Sequence, residues 1–256
     1  MSEYKSEAGH WYDREGNPQY TIVGANGKER NTTLRDARKE GFVPSVTTII
    51  DLLAKPSLEN WKIDRALEAA IQLDRQDDEA DKDYINRCKV ASKEIGVDAA
   101  REGTKIHAII EKGFLGYEDS KIYNDIKYLL DEHFPGEQWI AEASFASKMG
   151  YGGKIDLYSK SGVFVDFKTK DNLEGKDISK MVYDSYGMQL SAYAQGCEFV
   201  RAERVSLFVD RKDTDIILMH HWSEDTFDKH REMFNSLLTY WKLVKNYDSA
   251  EQKAEA

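Results

Sequence analysis

Between residues 139 and 170 the sequence carries three apolar or alternating runs in close succession, "WIAEASFAS", "GGKIDLYSK" and "GVFVDFKTK", separated by glycine-bearing turns. Such runs read as β-strands, and "SKSG" (159–162) joins the last two as a hairpin. In the third run Val163, Phe164, Val165 and Phe167 specify a buried strand, yet Asp166 and Lys168 interrupt it. Successive strand side chains point to opposite faces, so these two charges share a face and Phe167 takes the other. Burying one unpaired charge is costly, so this end of the sheet needs a partner for its charges.

The flanking segments set the class of fold. Residues 10–30 read as an aromatic hairpin with turns at "REGN" and "ANGK". A short helix, "TLRDARKEG", stops at Gly41. "PSVTTIIDLLAKPSLENWKIDRALEAAI" reads as two helices divided at Lys55-Pro56, with Ser45 and Ser57 as N-caps. The acidic stretch 74–83 reads as a solvated loop or helix edge. Helical patterns cover 84–114, with a break expected near Gly96 or Gly103, and 121–133. A helix over 183–199, strands over 204–211 and 215–222 and a helix over 223–247 complete the chain, and the tail "DSAEQKAEA" is expected to fray. This order predicts an α/β (α+β) fold: a central mixed sheet flanked by helices, with a helical N-terminal half. Neither a repeat nor a long linker interrupts it. One domain is expected over 1–256, with a hairpin and helical subregion to residue 100 and a core over 101–247.

A chain of 256 residues, 41% hydrophobic, suits one large domain. Its net charge of −10 argues against broad basic contact with nucleic acid, though not against a local grip. Cys88 and Cys197 lie far apart without CxxC spacing, which excludes a four-thiolate zinc or iron–sulfur site built from this chain alone. No apolar run approaches the roughly 20 residues needed to span a bilayer. The polar N-terminus resembles neither a signal nor a transit peptide, so a soluble cytoplasmic protein with no membrane partner is expected.

Asp156 precedes Asp166 across the short hairpin, so adjacent strands can bring two carboxylates and one ammonium to the same end of a sheet. Paired carboxylates repel unless a cation separates them. A hard divalent metal is the natural counter-charge, because Mg2+ takes one or two carboxylates plus water and phosphate oxygens. Such a metal activates water and neutralises charge developing on a phosphodiester, and Lys168 can assist there. Taken alone, an isolated Asp-x-Lys is better explained by a cross-strand salt bridge at an edge of the sheet.

The surrounding segments decide between these readings. "GGKIDLY" followed by "VDFKTK" resembles the core of the PD-(D/E)xK nucleases, specifically their RecB-type branch. Three further segments match that branch in order: "REGTKIHAIIE", with Gly103, His107 and Glu111; "AEASF", with Glu142; and "YGMQLSAYA", with Gln189 and Tyr193. "PSVTTII" also resembles the N-terminal segment of several members. The likeness covers roughly residues 43–210. Ile155 stands where the named signature has Pro, and the cysteines of the iron–sulfur subgroup are absent.

The resemblance implies a restriction-endonuclease-like core and a Mg2+- or Mn2+-dependent DNA exonuclease acting in replication, recombination or repair. It assigns His107, Asp156, Asp166 and the Phe167 carbonyl to the metal. Lys168 acts on the attacking water, and Gln189 and Tyr193 position the phosphate and Lys168. His107 and Glu111 share a helix face, as do Gln189 and Tyr193. Glu111 and Glu142 are candidates for support of the metal or contact with substrate, although Glu142 is equally read as a surface carboxylate. Ser45 reads as a helix cap that could also meet a phosphate. Trp11, Tyr12, Tyr20 and Trp61 could stack on bases, or belong to the core. The implied partners are DNA ends or single strands, with a single-strand-binding or annealing protein as a plausible companion, and such a compact nuclease would suit a bacteriophage. A structure-specific endonuclease and an inactive DNA-binding recombination protein are the alternatives.

Overall fold

Strands form where the alternation placed them: β5 (Trp139–Ser147), β6 (Tyr151–Ser159) and β7 (Val163–Lys170). The computed structural model describes residues 10–250, so residues 1–9 and most of the tail expected to fray lie outside the described residues. β5, β6 and β7 make an antiparallel meander. Next to β7 runs β8 (Glu203–Asp210), parallel to it, and β9 (Ile217–His221) closes the sheet antiparallel to β8. A parallel neighbour needs a crossover connection, and α6 (Asp184–Gly196) supplies it. The result is a central mixed sheet flanked by helices, as expected from the sequence.

Alternation along β7 divides the core in two. Val163, Val165 and Phe167 pack with Val205 and Leu207 of β8 against α4 (Asp81–Phe114) and α5 (Lys121–His133), through Ile106, Ile110, Ile126 and Leu130. On the other face Phe164 meets Met188 and Leu190 of α6 and Phe234, Leu238 and Trp241 of α7 (Phe227–Lys245). Burial of such side chains is worth about 1.5–3 kcal/mol each, so both layers are needed to hold the sheet. Among the described residues no helix is long and apolar enough to cross a membrane.

The N-terminal part wraps one end of this sheet. β1 (Trp11–Tyr12) pairs with β4 (Val43–Pro44), and β2 (Thr21–Val23) with β3 (Glu29–Asn31) across the "ANGK" turn. The "REGN" turn is closed by backbone bonds from Asp13 N to Asn17 O and from Gln19 N to Trp11 O, with Tyr12 bridged to Pro18. Helix α1 (Leu34–Glu40) starts on a capping box between Thr33 and Asp36 and stops at Gly41, whose φ of 77° suits glycine. Helix α2 (Val46–Ile50) starts on Ser45, whose Oγ accepts from Thr48 N at 3.0 Å.

Two local expectations need correction. Ser57 does not cap helix α3 (Pro56–Gln72); Lys55 stands at the N-cap and Pro56 at the first helical position, where its missing N–H is no loss. Helix α4 also runs unbroken through Gly96 and Gly103. Gly103 is buried, and a Cβ there would come within 2.7 Å of Thr169 Oγ1, so this glycine lets the helix approach β7.

The pairing of β5 with β6 is irregular. Their ladder joins Ala141 to Leu157 and Ala143 to Ile155, and Glu142 lies between with φ 58°. Trp139, Ala141 and Leu157 pack on the α4/α5 side, whereas Phe145 and Ile155, of the same parity, pack on the α6/α7 side. The sidedness of both strands therefore reverses at Glu142 and Asp156. A left-handed backbone is costly for most side chains and free for glycine. Glu142→Gly is expected to unfold in urea within about 0.5 kcal/mol of the parent, and Glu142→Val to lose about 2 kcal/mol. Equal losses would mean that the left-handed turn is not required.

Candidate active site

Beyond the reversal β6 and β7 part. Their ladder holds only Leu157 to Val165 and Tyr158 to Phe164, so the next pair in register, Asp156 and Asp166, is not made. Instead the Asp156 carboxylate enters the gap, and its Oδ2 accepts from Phe167 N at 2.8 Å. A cleft of about 990 Å³ opens at this point. Eight of the residues assigned to metal, phosphate or catalysis line it: Ser45, His107, Asp156, Asp166, Phe167, Lys168, Gln189 and Tyr193. Glu111 and Glu142 do not. Glu111 lies a turn beyond His107 on α4, while Glu142 forms an ion pair with Lys154, which does face the cleft.

Asp166 is the electrostatic centre. It is 2% exposed, its Oδ1 accepts from Gln189 Nε2 at 2.9 Å, and Lys168 Nζ stands 2.6 Å from its Oδ2. That last contact is an ion pair without hydrogen-bond alignment, so Oδ2 is a buried oxygen with no hydrogen bond. Burial raises the Asp166 pKa against the pull of Lys168, and the Asp156 charge adds to the rise. His107 Nδ1 lies 4.0 Å from Asp156 Oδ2, its ring set edge-on to Phe167.

Gln189 organises the remaining groups. Its Oε1 accepts from Lys168 Nζ at 3.3 Å, and its Nε2 donates to Asp166 and to Tyr193 Oη, 2.9 Å away. All of its polar atoms are thus committed, which holds the amide in one orientation. Burial keeps the Tyr193 pKa well above the ordinary tyrosine value, with Asp166 and Asp156 adding to the effect, so its phenol stays protonated as a donor. Gly153 makes room for this helix: a Cβ there would meet Tyr193 Cε1 at 2.8 Å.

Whether these groups suit a divalent cation is a matter of donor chemistry. Among the described residues no three His, Cys, Asp or Glu side chains form a ready cage. Two carboxylates with water completing the shell is nevertheless the usual demand of Mg2+. The hydrogen-bond-free Oδ2 of Asp166, buried at the cleft floor, is the observation that fits a cation.

The structure adds residues not singled out in the sequence: Lys154, Lys170, Tyr183 and Tyr186. Lys170 shares the alternation of Asp166 and Lys168, and Tyr186 precedes Gln189 and Tyr193 at i, i+3 and i+7. Both signals were present in the sequence. Of the four aromatics named as possible stacking groups, Trp11 is core, 6.2 Å from Trp241, whereas Tyr12, Tyr20 and Trp61 line the cleft. The Tyr12 and Tyr20 hydroxyls are 2.8 Å apart.

No protein-family model matches the chain, and no curated protein matches it significantly. Several solved structures resemble it. An alkaline exonuclease from Laribacter hongkongensis is 12% identical, with 74% of this chain and 95% of that one covered at a TM-score of 0.40. A protein from Eubacterium rectale, provisionally named an exonuclease, is 13% identical over 57% of this chain and 68% of its own, also at 0.40. A phage-related exonuclease from Haemophilus somnus is 12% identical, with 56% and 82% covered and a TM-score of 0.30. At these values the overlap is partial, and the geometry of the cleft has to carry the functional reading.

Proposed function

We propose that the chain is a Mg2+- or Mn2+-dependent deoxyribonuclease of the RecB-type PD-(D/E)xK class, acting as an exonuclease on DNA ends. One observation carries this reading. Asp156 and Asp166 are register opposites at the point where β6 and β7 separate, and Asp166 keeps a buried oxygen without a hydrogen bond beside Lys168.

Hydrolysis of a phosphodiester requires a water to attack phosphorus in line with the departing sugar oxygen, and negative charge builds on the phosphoryl oxygens. Lys168, held by Gln189 beside Asp166, puts a positive charge at that place. Tyr193 accepts from Gln189 and keeps its own proton, so its neutral O–H would be available to the substrate. Asp156 and Asp166, with His107 and the Phe167 carbonyl, would hold the cation. When bound, it supplies Lewis acidity and lowers the pKa of a coordinated water. Asp166 anchors Gln189 on one oxygen and pairs with Lys168 on the other, so one carboxylate organises both groups beside the cleft.

End-labelled DNA incubated with Mg2+ is expected to shorten from a labelled end and to survive in EDTA. Loss of label in EDTA, or none with Mg2+, would sink the reading. Circular single-stranded DNA separates the subclasses, because an exonuclease leaves it whole and an endonuclease opens it. His107→Ala is expected to weaken Mn2+ binding, followed by calorimetric titration, by about tenfold or more. Equal affinity and stoichiometry would remove His107 from the metal site.

A further inference from the structure

Four lysines line the cleft: Lys55, Lys154, Lys168 and Lys170. Three of them have carboxylate partners. Lys55 pairs with Asp51 at 2.5 Å, Lys154 with Glu142, and Lys168 with Asp166 at 2.6 Å. Among the described residues Lys170 has none. Its Nζ donates one hydrogen bond, to Met181 O at 2.9 Å, which leaves two of its three donors uncommitted. Aromatic rings form the rest of its surroundings. Nζ lies 5.2 Å from the ring centre of Tyr183, 5.3 Å from Phe208 and 6.0 Å from Tyr186. Cation–π contacts stabilise an ammonium without neutralising it. Burial pulls the Lys170 pKa down and Lys168 pulls in the same direction, as expected of a cation short of counter-charge.

Position points to the kind of anion that would serve. Lys168 and Lys170 lie two residues apart on the same face of β7, about 6.6 Å along the strand. Both ammonium groups lie near the ring of Tyr186, Lys168 Nζ 5.1 Å and Lys170 Nζ 6.0 Å from its centre. Two cations along one wall of a cleft, with one phenol ring near both, match a ligand whose negative charges recur along a chain.

We propose that Lys170 seats the phosphate next to the scissile one, so that the cleft selects a polynucleotide strand over an isolated phosphodiester. The inference rests on the nuclease reading and assigns Lys170 to binding substrate, in a role separate from that of Lys168. Tyr183 and Tyr186 position the ammonium, and an aromatic wall there suits an unpaired strand better than a duplex, since bases freed from pairing can lie against it.

The test uses fluorescence anisotropy with the full chain in EDTA, so that the strand stays whole. The probes are labelled single-stranded oligonucleotides carrying one neutral methylphosphonate at each successive linkage. In the parent protein one linkage beside the scissile position is expected to weaken binding about tenfold when neutralised, the loss of one charge-assisted contact. In Lys170→Met the same substitution should cost less than about twofold, because the contact is already gone. The slope of log K against log salt should also fall by about 0.7 for a single strand, and Lys170→Arg should restore it. A purely structural lysine would weaken every oligonucleotide equally and leave the slope unchanged, and that result overturns the proposal. So does a Lys170→Met protein that feels each methylphosphonate as the parent does. Cleavage of the unmodified strand by the parent with Mg2+ is followed separately: its absence removes the nuclease reading, whereas an unchanged salt slope removes only the role of Lys170.

Discussion

Asp166→Asn is expected to lower the rate of DNA cleavage at least about a thousandfold while raising the melting temperature measured in EDTA by about 3 °C. The two effects have one cause. Asp166 is buried, with Lys168 as its nearest charge and one oxygen left without a hydrogen bond. Burial disfavours its ionised form more than Lys168 favours it. A neutral amide of the same shape removes that penalty and still accepts from Gln189 through its remaining oxygen, while Lys168 turns away from the new N–H toward Gln189 Oε1 and the cleft. A gain of about 1 kcal/mol is the expected scale, and in a chain of this length each kcal/mol shifts the midpoint by about 2–4 °C. Activity moves the other way because the charge that strains the fold is the one a cation needs. A thousandfold in rate corresponds to about 4 kcal/mol of transition-state stabilisation, within the range for removal of a central electrostatic group. End-labelled DNA and a thermal melt on the same preparation decide the matter. A variant that cuts normally ends the mechanism, and one that is inactive but also less stable shows that Asp166 was holding the fold.

The largest loss of stability is expected far from the cleft floor, at Arg204. This side chain is fully buried on the α6/α7 face of β8 and has no carboxylate partner among the described residues. Its Nη1 donates to Ser191 Oγ and to His230 Nδ1, each at 2.9 Å. Its Nη2 donates to Ser223 O at 2.7 Å and to Thr226 Oγ1 at 3.0 Å. The guanidinium thus joins β8 to helix α6, to the turn before α7 and to α7 itself. Burial lowers its pKa to about 10 and also depresses that of His230. His230 is therefore neutral at physiological pH and accepts from Arg204 at one nitrogen, while the other lies 3.2 Å from Asp184.

Arg204→Ala would leave a cavity and take their donor from Ser191 Oγ, His230 Nδ1 and Thr226 Oγ1, a loss of about 4 kcal/mol and about 10 °C in melting temperature. Arg204→Met keeps most of the volume and removes the buried charge, so its loss should be nearer 1–2 kcal/mol. Urea unfolding of the two variants distinguishes the causes. Equal losses would mean that the hydrogen bonds dominate and filling the space contributes little.

Much of this arrangement was legible without coordinates. The period-2 pattern of 163–168 places Asp166 and Lys168 on one face, and the short "SKSG" turn fixes Asp156 as the register opposite of Asp166. Helical spacing likewise aligns Gln189 with Tyr193, and the structure joins them by a hydrogen bond. Other features left weaker marks. A glycine in a helix pattern suggests a break, yet Gly103 serves a close approach to Thr169 that depends on a strand 66 residues away. Nothing about Glu142 marks it for a left-handed backbone, and its side chain turns to Lys154 instead of the cleft. The adjacency of Tyr12 and Tyr20 to the site follows from the pairing of β1 with β4, a contact between short runs too weak in pattern to foresee.

Local physics set the elements and the faces their side chains take, because alternation and helical repeat are properties of a few consecutive residues. The distances that make a site were decided elsewhere. Only packing α6 against a sheet whose strands reverse sidedness at Glu142 and Asp156 brings Gln189, Lys168 and the two carboxylates together. It also leaves Lys170, among the described residues, as the cleft lysine without a counter-charge, since charge balance there depends on which carboxylates the whole fold brings within reach.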